Sequence, residues 1–278
     1  MTPGVLGPAG APPIAPGAGV VTVAGIGFGR GCPVRVIAGP CSVESLEQFR
    51  ETAQAAKAGG AALLRGGAFK PRTSPYSFQG LGRAGLEIMR SVGDELGLGI
   101  VTEAMSPDEV SLVAEMADVV QIGARNMDNR ALLESAAASG RPVLLKRGLT
   151  ATVDELLRAA DVMIAAGNER ILLCERGSRT FEPSTRNSLD LAAVPEISQR
   201  SDLPVLVDPS HATGRADLVT PVSLAAIAAG ADGLLVEVHP DPARALSDGA
   251  QSLRADAFGA FMDRARAMAA AAGRTMGP

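Results

Sequence analysis

The sequence predicts an α/β fold, a (β/α)8 TIM barrel with a short N-terminal β-hairpin extension. Short apolar runs alternate with amphipathic helical patterns eight times between residues 34 and 272. The runs are nearly continuous in apolar residues, as expected when both faces of a strand are buried. The chain has 278 residues, of which 46% are hydrophobic, and this is enough for one large barrel with an extensive hydrophobic core.

The N-terminal segment is expected to lie outside the barrel. Residues 1–19 are rich in Pro, Gly and Ala and contain no Lys or Arg, which predicts a disordered tail rather than a signal or transit peptide. Residues 20–31 alternate and are rich in glycine. They predict a hairpin, within a unit spanning 20–33, that covers the N-terminal end of the barrel. The catalytic barrel then covers 34–272, and 273–278 are predicted to be a flexible C-terminus.

The predicted barrel strands follow from the short β-branched runs. They cover residues 34–38, 62–65, 100–103, 119–122, 143–146, 171–174, 204–208 and 233–238. Helical spacing of apolar residues predicts helices at 46–58, 86–96, 107–117, 153–166 and 218–229. Thr152 with Glu155, and Ser106 before Pro107, are typical helix starts. A doubly wound sheet would usually carry a G-x-G-x-x-G turn after its first strand, but residues 39–42 read GPCS.

Composition argues against several partner classes. The net charge is −4, Trp is absent and aromatic residues are 3% of the chain, so nothing favours nucleic-acid binding. No apolar run approaches the roughly 20 residues of a membrane span. Three cysteines are too few for a disulfide scaffold and indicate a reducing, cytoplasmic location.

Ionisable residues stand at the C-terminal end of every predicted strand, where barrel enzymes carry their chemistry. One set, Cys41, His211, Glu237 and Asp248, combines soft, borderline and hard donors. Such a set suits a divalent metal ion of the Mn, Fe, Co or Zn class. Alternatives remain open, because Cys41 alone could be a small buried residue and His211 a loop histidine. His239 could replace His211 as ligand, or could orient Glu237.

A second set of strand-end residues is cationic and predicts an anionic substrate with more than one charged group. It comprises Arg65, Lys70, Arg72, Arg125, Lys146 and Arg176. Glu103 could act as a base or could neutralise an arginine. We expect Arg147 and Arg130 to face solvent, and Cys174 to have a packing role.

Seven motifs, in chain order, resemble one family. They are GPCSVES, RGGAFKPRTSPYSFQG, QIGARNM, LLKRG, CERG, DPSHATG and VEVHPDPARALSDGAQSL. The chain is similar over residues 34–270 to the short microbial form of 3-deoxy-D-arabino-heptulosonate 7-phosphate (DAHP) synthase, which is related to 3-deoxy-D-manno-octulosonate 8-phosphate synthase. The resemblance implies a metal-dependent condensation of phosphoenolpyruvate with erythrose 4-phosphate that opens the shikimate pathway to aromatic amino acids.

The resemblance also implies roles for residues. Metal ligands fall on Cys41, His211, Glu237 and Asp248. Phosphoenolpyruvate contacts fall on Arg65, Lys70, Glu103, Gly123, Ala124, Arg125, Lys146 and Arg176. Contacts to the aldehyde substrate fall on Lys70, Pro71, Arg72 and Thr73, a segment that differs in the octulosonate relatives. The implied catalytic residues are Lys146, Glu103 and His211, of which Lys146 or Glu103 would move protons.

The resemblance further implies a homo-oligomer, either a dimer or a tetramer. The N-terminal segment is too short for the fused regulatory domain of many family members, so a regulatory partner such as chorismate mutase would act in trans. Three rival functions remain open: a Schiff-base aldolase using Lys146, an octulosonate 8-phosphate synthase, and a barrel that only binds a partner.

Overall fold

The structure, a computed structural model, describes residues 19–70 and 76–277. The predicted tail falls outside these residues except for Gly19. Pro71, Arg72 and Thr73, which are expected to contact the aldehyde substrate, also lie outside them.

The N-terminal hairpin is present and covers one end of the barrel. Strand β1 (Val20–Val23) pairs antiparallel with β2 (Ile26–Gly29), and Ala24 and Gly25 turn the chain with positive φ angles. Val21, Val23 and Phe28 pack into the barrel interior. They join a cluster with residues from the N-terminal halves of the barrel strands, including Ile37 and Leu63. The predicted hairpin is therefore confirmed, and it fills the N-terminal end of the barrel.

Eight parallel strands form the closed barrel, as predicted. They are β3 (Arg35–Gly39), β4 (Leu63–Arg65), β5 (Gly99–Ala104), β6 (Val119–Ile122), β7 (Val143–Lys146), β8 (Ile171–Glu175), β9 (Val205–Val207) and β10 (Gly233–His239). Each pairs with the next along the chain, and β10 also pairs with β3, which closes the barrel. A short strand β11 (Leu253–Arg254) extends the sheet beside β10.

Helices surround the barrel and bury their apolar faces against it. In the described part of the chain they are α1 (Leu46–Gly59), α2 (Arg83–Leu96), α3 (Pro107–Met116), α4 (Arg130–Ala138), α5 (Val153–Ala165), α6 (Ala193–Arg200), α7 (Pro209–Thr213), α8 (Ala216–Ala228) and α9 (Phe258–Ala271). The predicted capping box of Thr152 and Glu155 is present at the start of α5. The Ser106 side chain makes no capping hydrogen bond at the start of α3.

Within the segment 273–278, which the sequence predicts to be flexible, the described residues up to Gly277 form backbone hydrogen bonds. Val34 N donates to Thr275 O at 2.8 Å, and Gly277 N donates to Val34 O at 3.3 Å. Met276 also forms a parallel bridge with Val34. These contacts connect the described end of the chain to the residue that precedes β3. Among the described residues, no helix is both long and apolar enough to span a membrane.

Candidate active site

The first donor, Cys41, lies in a tight turn after β3. A Cβ atom at Gly39 would stand 2.0 Å from Arg65 O, so only glycine allows β3 and β4 to approach this closely. Cys41 O then accepts a hydrogen bond from Gly67 N at 3.1 Å. The turn buries the Cys41 thiol, which is 1% exposed.

His211 lies on α7, the single-turn helix that follows β9. Asp208 caps this helix, since its Oδ1 accepts a hydrogen bond from His211 N at 2.9 Å. The Oδ2 atom lies 2.8 Å from His211 Nδ1, and this contact orients the imidazole ring. The opposite ring nitrogen, Nε2, lies 3.3 Å from Glu237 Oε1 and 4.0 Å from Asp248 Oδ2.

Glu237 and Asp248 complete the group from the end of β10 and the loop after it. Glu237 is 1% exposed, and its Oε2 accepts a hydrogen bond from Gln251 Nε2 at 2.7 Å. Asp248 adopts a left-handed backbone conformation with φ 51°. Its Oδ2 lies 3.2 Å from Cys41 Sγ.

One ligand atom from each of Cys41, His211, Glu237 and Asp248 lies within 4.8 Å of the others. We call these four residues the donor group. A thiol, an imidazole nitrogen and two carboxylates at this spacing fit a divalent transition metal ion. His239 lies outside the group: its Nδ1 accepts from Asp241 N at 3.0 Å, and its Nε2 is 3.5 Å from Glu44 Oε2.

The protonation preferences of the donor group match metal binding. Burial lowers the pKa of His211 against the opposing effect of Asp208 and Glu237, which favours the neutral imidazole that a metal needs. Burial and the Glu237 carboxylate raise the pKa of the Cys41 thiol to about 12. A cation bound beside the sulfur would displace that proton. The donor group therefore fits the metal that the resemblance implies.

The two carboxylates stay ionised because cations lie beside them. Burial opposes ionisation of Glu237, but neighbouring positive charge, including that of Arg65 and Lys70, outweighs it and lowers the Glu237 pKa. Burial likewise opposes ionisation of Asp248, and Arg186 and a hydrogen bond from Cys41 lower its pKa in spite of it. Both groups therefore keep the charge that a divalent cation requires.

Beside the donor group lies a cavity of about 570 Å³ at the C-terminal ends of the strands. His211 and Asp248 form part of its wall. Its cationic lining residues are Arg65, Lys70, Arg125, Lys146, Arg176, Arg179 and Arg186. The predicted cationic set thus converges on one cavity, apart from Arg72, which lies outside the described residues. This concentration of positive charge suits a substrate with several anionic groups.

The individual cations are held in different ways. Lys146 Nζ lies 2.5 Å from Asp208 Oδ2, whereas Lys70 Nζ lies 3.0 Å from both Cys41 Sγ and Cys41 O. Arg125 forms no ion pair with another described residue. Arg176 is 7% exposed and its Nη1 has no hydrogen-bond partner among the described residues. Arg125 and Arg176 therefore keep donors free for a bound anion.

Glu103 lies at the end of β5 against the β6 turn. A Cβ atom at Gly123 would stand 2.0 Å from Glu103 Oε1, so this glycine makes room for the carboxylate. Gln121 Nε2 donates to Glu103 Oε2 at 3.2 Å. Glu103 forms no ion pair with a described residue, so the arrangement does not support a role in neutralising an arginine.

Arg147 is buried rather than solvent-facing, so that expectation is wrong. Its Nη1 lies 2.8 Å from Glu175 Oε2 and 3.1 Å from Asp190 Oδ2. Side chains alternate along a strand, and the position after Lys146 therefore points outward, into the layer between strands and helices. Arg130 is exposed and pairs with Glu134, as expected. Cys174 packs in the barrel interior, as predicted.

Two residues of the site receive no role from sequence reasoning, although Asp208 belongs to the predicted set of ionisable strand-end residues. Asp208 precedes His211 by three residues, a spacing typical of a helix cap, and that spacing is a signal in the DPSH motif. Arg186 lies on the long loop after β8, where its Nη1 is 3.2 Å from Asp248 Oδ1 and 3.0 Å from Gln251 Oε1. No local pattern marks Arg186, because its partner is 62 residues away.

The fold and the site together define a class of protein: a (β/α)8-barrel enzyme with a cation-lined cavity, and with a donor group that could hold a metal ion, at the C-terminal ends of its strands. The chain belongs to the DAHP synthetase I family, whose sequence profile matches residues 16–271. That family is metal-dependent, and the donor group of this chain is a possible metal-binding group.

Individual relatives agree with the family assignment. The phospho-2-dehydro-3-deoxyheptonate aldolase of Thermotoga maritima is 55% identical over 238 residues, which make up 86% of this chain and 70% of that protein. The 2-dehydro-3-deoxyphosphooctonate aldolase of Magnetococcus marinus is 34% identical over 267 residues, covering 89% of this chain and 92% of its own length.

Solved structures show the same fold at high similarity. The crystal structure of the Thermotoga maritima DAHP synthase superposes with a TM-score of 0.90 and 51% identity, covering 92% of this chain and 75% of that one. A truncated form of the Thermotoga maritima enzyme superposes with a TM-score of 0.86 and 47% identity, covering 92% of this chain and 94% of that one.

Proposed function

We propose that this protein is a DAHP synthase. It joins phosphoenolpyruvate, erythrose 4-phosphate and water into DAHP and inorganic phosphate, the first step of the shikimate pathway. The observation that carries the proposal is the donor group in the wall of a cavity lined by seven cationic side chains. The 55% identity to a phospho-2-dehydro-3-deoxyheptonate aldolase supports the same reaction.

The proposed metal ligands are the four residues of the donor group. The mixed sulfur, nitrogen and oxygen donors favour a Mn, Fe, Co or Zn ion over Mg or Ca. When bound, the metal supplies Lewis acidity toward a substrate carbonyl oxygen. Lys70 Nζ, 3.0 Å from Cys41 Sγ, brings a positive charge to the edge of this group. It also faces the cavity, so it can contact both substrates.

Phosphoenolpyruvate is proposed to bind at Arg125, Lys146 and Arg176. The free donors of Arg125 and Arg176 suit its phosphate and carboxylate, because guanidinium groups bind both in a bidentate manner. Burial lowers the Arg176 pKa, and an incoming anion would compensate for that cost. The Gly123–Ala124 turn carries backbone groups to the same wall of the cavity. Arg65, at the end of β4, lines the cavity beside them.

The aldehyde substrate is proposed to bind at Lys70 and at Pro71, Arg72 and Thr73. Lys70 lines the described cavity next to Cys41, which brings the aldehyde end close to the donor group. Arg72 and Thr73 would then hold the sugar phosphate. This segment accordingly sets the choice between a four-carbon and a five-carbon acceptor.

In the proposed reaction, C3 of phosphoenolpyruvate attacks the aldehyde carbon of erythrose 4-phosphate and forms the new C–C bond. Water adds to C2, and cleavage of the C2–O bond releases inorganic phosphate. Lys146 or Glu103 moves the protons. His211 contributes to the reaction as one of the proposed metal ligands of the donor group. Arg125, Lys146 and Arg176 hold the phosphoenolpyruvate in line, so positioning and charge stabilisation supply much of the rate.

The alternatives are less well supported. The ammonium of Lys146 is engaged by Asp208 at 2.5 Å, an arrangement that serves anion binding better than the nucleophilic attack of a Schiff-base aldolase. Octulosonate 8-phosphate synthase is the second candidate, because relatives with that activity in their names are 33–35% identical to this chain. A barrel that only binds a partner would not need the ionisable residues that this chain carries at the C-terminal ends of its strands.

The finer assignments follow the family. We propose a homo-oligomer, a dimer or a tetramer, with a regulatory partner such as chorismate mutase acting in trans. Free thiols at Cys32, Cys41 and Cys174 support a cytoplasmic location.

Phosphate release tests the function directly. The purified protein is assayed with phosphoenolpyruvate and either erythrose 4-phosphate or arabinose 5-phosphate, before and after chelation, and after addition of single divalent metals. We expect release with erythrose 4-phosphate that chelation abolishes and metal restores. A preference for arabinose 5-phosphate would favour the octulosonate reaction. Activity that survives chelation, together with borohydride trapping on Lys146, would favour the Schiff-base route.

A further inference from the structure

Asp208 is a fully buried carboxylate that serves two parts of the site at once. It lies after β9 and is 0% exposed. Its Oδ2 is 2.5 Å from Lys146 Nζ and 2.8 Å from His211 Nδ1, so a single oxygen faces both groups. Its Oδ1 accepts from His211 N at 2.9 Å, which fixes the orientation of the carboxylate.

The two partners of Asp208 belong to different functional sets. His211 is part of the donor group, while Lys146 lines the cavity proposed for phosphoenolpyruvate. This step rests on the proposed function only for the identity of the anion at Lys146. The geometry alone places one carboxylate oxygen between a histidine of the donor group and a lysine that lines the cavity.

The contact with Asp208 determines which nitrogen His211 offers to a metal. A hydrogen bond from Nδ1 to the carboxylate leaves Nε2 as the free donor, and Nε2 faces Glu237 and Asp248. Carboxylates in this position fix the tautomer and increase the basicity of a metal-bound imidazole. Lys146 competes for the same oxygen, since its charge draws electron density from Oδ2.

We propose that Asp208 is a positioning residue that couples metal binding at the donor group to the state of Lys146. An anion that draws the Lys146 ammonium away from Oδ2 strengthens the hydrogen bond from His211 to Asp208, and the metal binds more tightly. Because such coupling is reciprocal, the bound metal also tightens anion binding at Lys146. Substrate and metal therefore stabilise each other across the barrel mouth.

Direct metal binding tests the positioning role without any turnover. Metal-free protein is titrated with Co²⁺ alone, and binding is followed by the absorption of the cobalt–thiolate bond to Cys41. Asp208→Asn should weaken Co²⁺ binding about 10- to 100-fold, the usual loss when such a supporting carboxylate is removed. Asp232→Asn is the matched control. Asp232 also binds a cation and a backbone amide, Arg274 and Val205 N, but at the opposite end of the barrel.

The coupling is tested with Lys146 variants in both backgrounds. In the protein with Asp208, Lys146→Met should tighten Co²⁺ binding about fivefold, a typical coupling for residues in contact, whereas Lys146→Arg should leave it unchanged. In the Asp208→Asn background, Lys146→Met should have a clearly smaller effect. Lys146→Met removes the direct repulsion between the lysine and the metal in both backgrounds. The part of the effect that passes through the shared Asp208 oxygen is absent in the Asp208→Asn background.

The outcomes separate a linking carboxylate from a merely structural one. A folded Asp208→Asn variant that binds Co²⁺ as tightly as the parent would overturn the positioning role. An equal effect of Lys146→Met in both backgrounds would overturn the coupling. If Asp208→Asn does not fold, unchanged Co²⁺ binding in Lys146→Met of the parent still refutes the proposal. These titrations contain no substrate, so the proposed function can fail independently in the phosphate-release assay.

Discussion

Arg65 and Glu237 form a buried ion pair that joins the cationic cavity to the donor group. Arg65 Nη1 lies 2.5 Å from Glu237 Oε1, and the two side chains are 5% and 1% exposed. Pro40 O accepts a further hydrogen bond from Arg65 Nη1 at 3.1 Å. The pair crosses from β4 to β10, so it holds a carboxylate of the donor group in place from the far side of β3.

Replacing Arg65 by Met should destabilise the fold as well as the site. Glu237 would keep its buried charge without its nearest cation, a change that usually costs about 3–5 kcal/mol. Urea unfolding should show this loss. Arg50→Met removes an exposed ion pair with Glu95 and should cost less than about 1 kcal/mol. Equal losses in the two variants would contradict the buried-pair account.

Arg147 and Arg130 offer a second comparison of a buried and an exposed arginine. Arg147→Met should lower the free energy of unfolding by about 3–5 kcal/mol, because Glu175 is 0% exposed and would lose its cation. Arg130→Met, whose side chain is 76% exposed, should change it by less than about 1 kcal/mol. Urea unfolding of both variants measures the difference. A small loss in Arg147→Met would mean that Glu175 finds another partner.

The hairpin should contribute to barrel stability through Phe28. Phe28→Ala should cost about 3–5 kcal/mol, because the ring is 0% exposed and a cavity would remain among the interior side chains. Val20→Ala is the control on the same hairpin, where the side chain is 45% exposed and the change should stay within about 0.5 kcal/mol. Similar unfolding curves for both variants would show that the hairpin does not fill the barrel.

The capping box of α5 predicts a pH dependence of stability. Hydrogen bonds from the Thr152 backbone and hydroxyl lower the pKa of Glu155. A carboxyl whose pKa is lower in the folded state stabilises the fold above its unfolded value of about 4.3, and this contribution disappears as the pH falls through the folded value. The difference in melting temperature between the parent and Glu155→Gln should therefore be larger at pH 7 than at pH 3.

The control for this prediction removes the Thr152 hydroxyl, which donates to Glu155 Oε2 at 2.9 Å. In a Thr152→Ala background, Glu155→Gln should show a smaller pH-dependent difference than in the parent, because the hydroxyl bond is lost while the bond from the backbone N–H of residue 152, the larger cause of the lowered Glu155 pKa, remains. A difference between parent and Glu155→Gln that grows toward acid would have the wrong sign for a carboxyl with a lowered pKa.

The barrel could be predicted from sequence because the strand and the helix of each unit are indicated by residues close together in the chain. The buried run 143–146 and the capping box at Thr152 lie within a few residues of each other, and the barrel follows by repetition. The donor group could also be predicted, since Cys41, His211 and Glu237 stand at strand ends that any closed parallel barrel brings together.

The pairing of charges could not be predicted, because it depends on neighbours far apart in sequence. The sequence predicts Arg147 in solvent, but its side chain is buried and pairs with Glu175, at the end of the neighbouring strand β8, and with Asp190 on the loop after β8. The role of Asp208 as the shared partner of Lys146 and His211 likewise appears only when β7 and β9 are placed in space.

The most direct test of the central claim compares metal content and phosphate release in the parent, Cys41→Ala and Cys32→Ala. Cys41 belongs to the donor group, whereas Cys32 is a free thiol before the barrel. We predict about one divalent metal ion per chain and metal-dependent phosphate release from phosphoenolpyruvate and erythrose 4-phosphate in the parent and in Cys32→Ala, following the four-ligand stoichiometry of one site. Cys41→Ala should lose both. Full metal content and full phosphate release in Cys41→Ala would contradict the account.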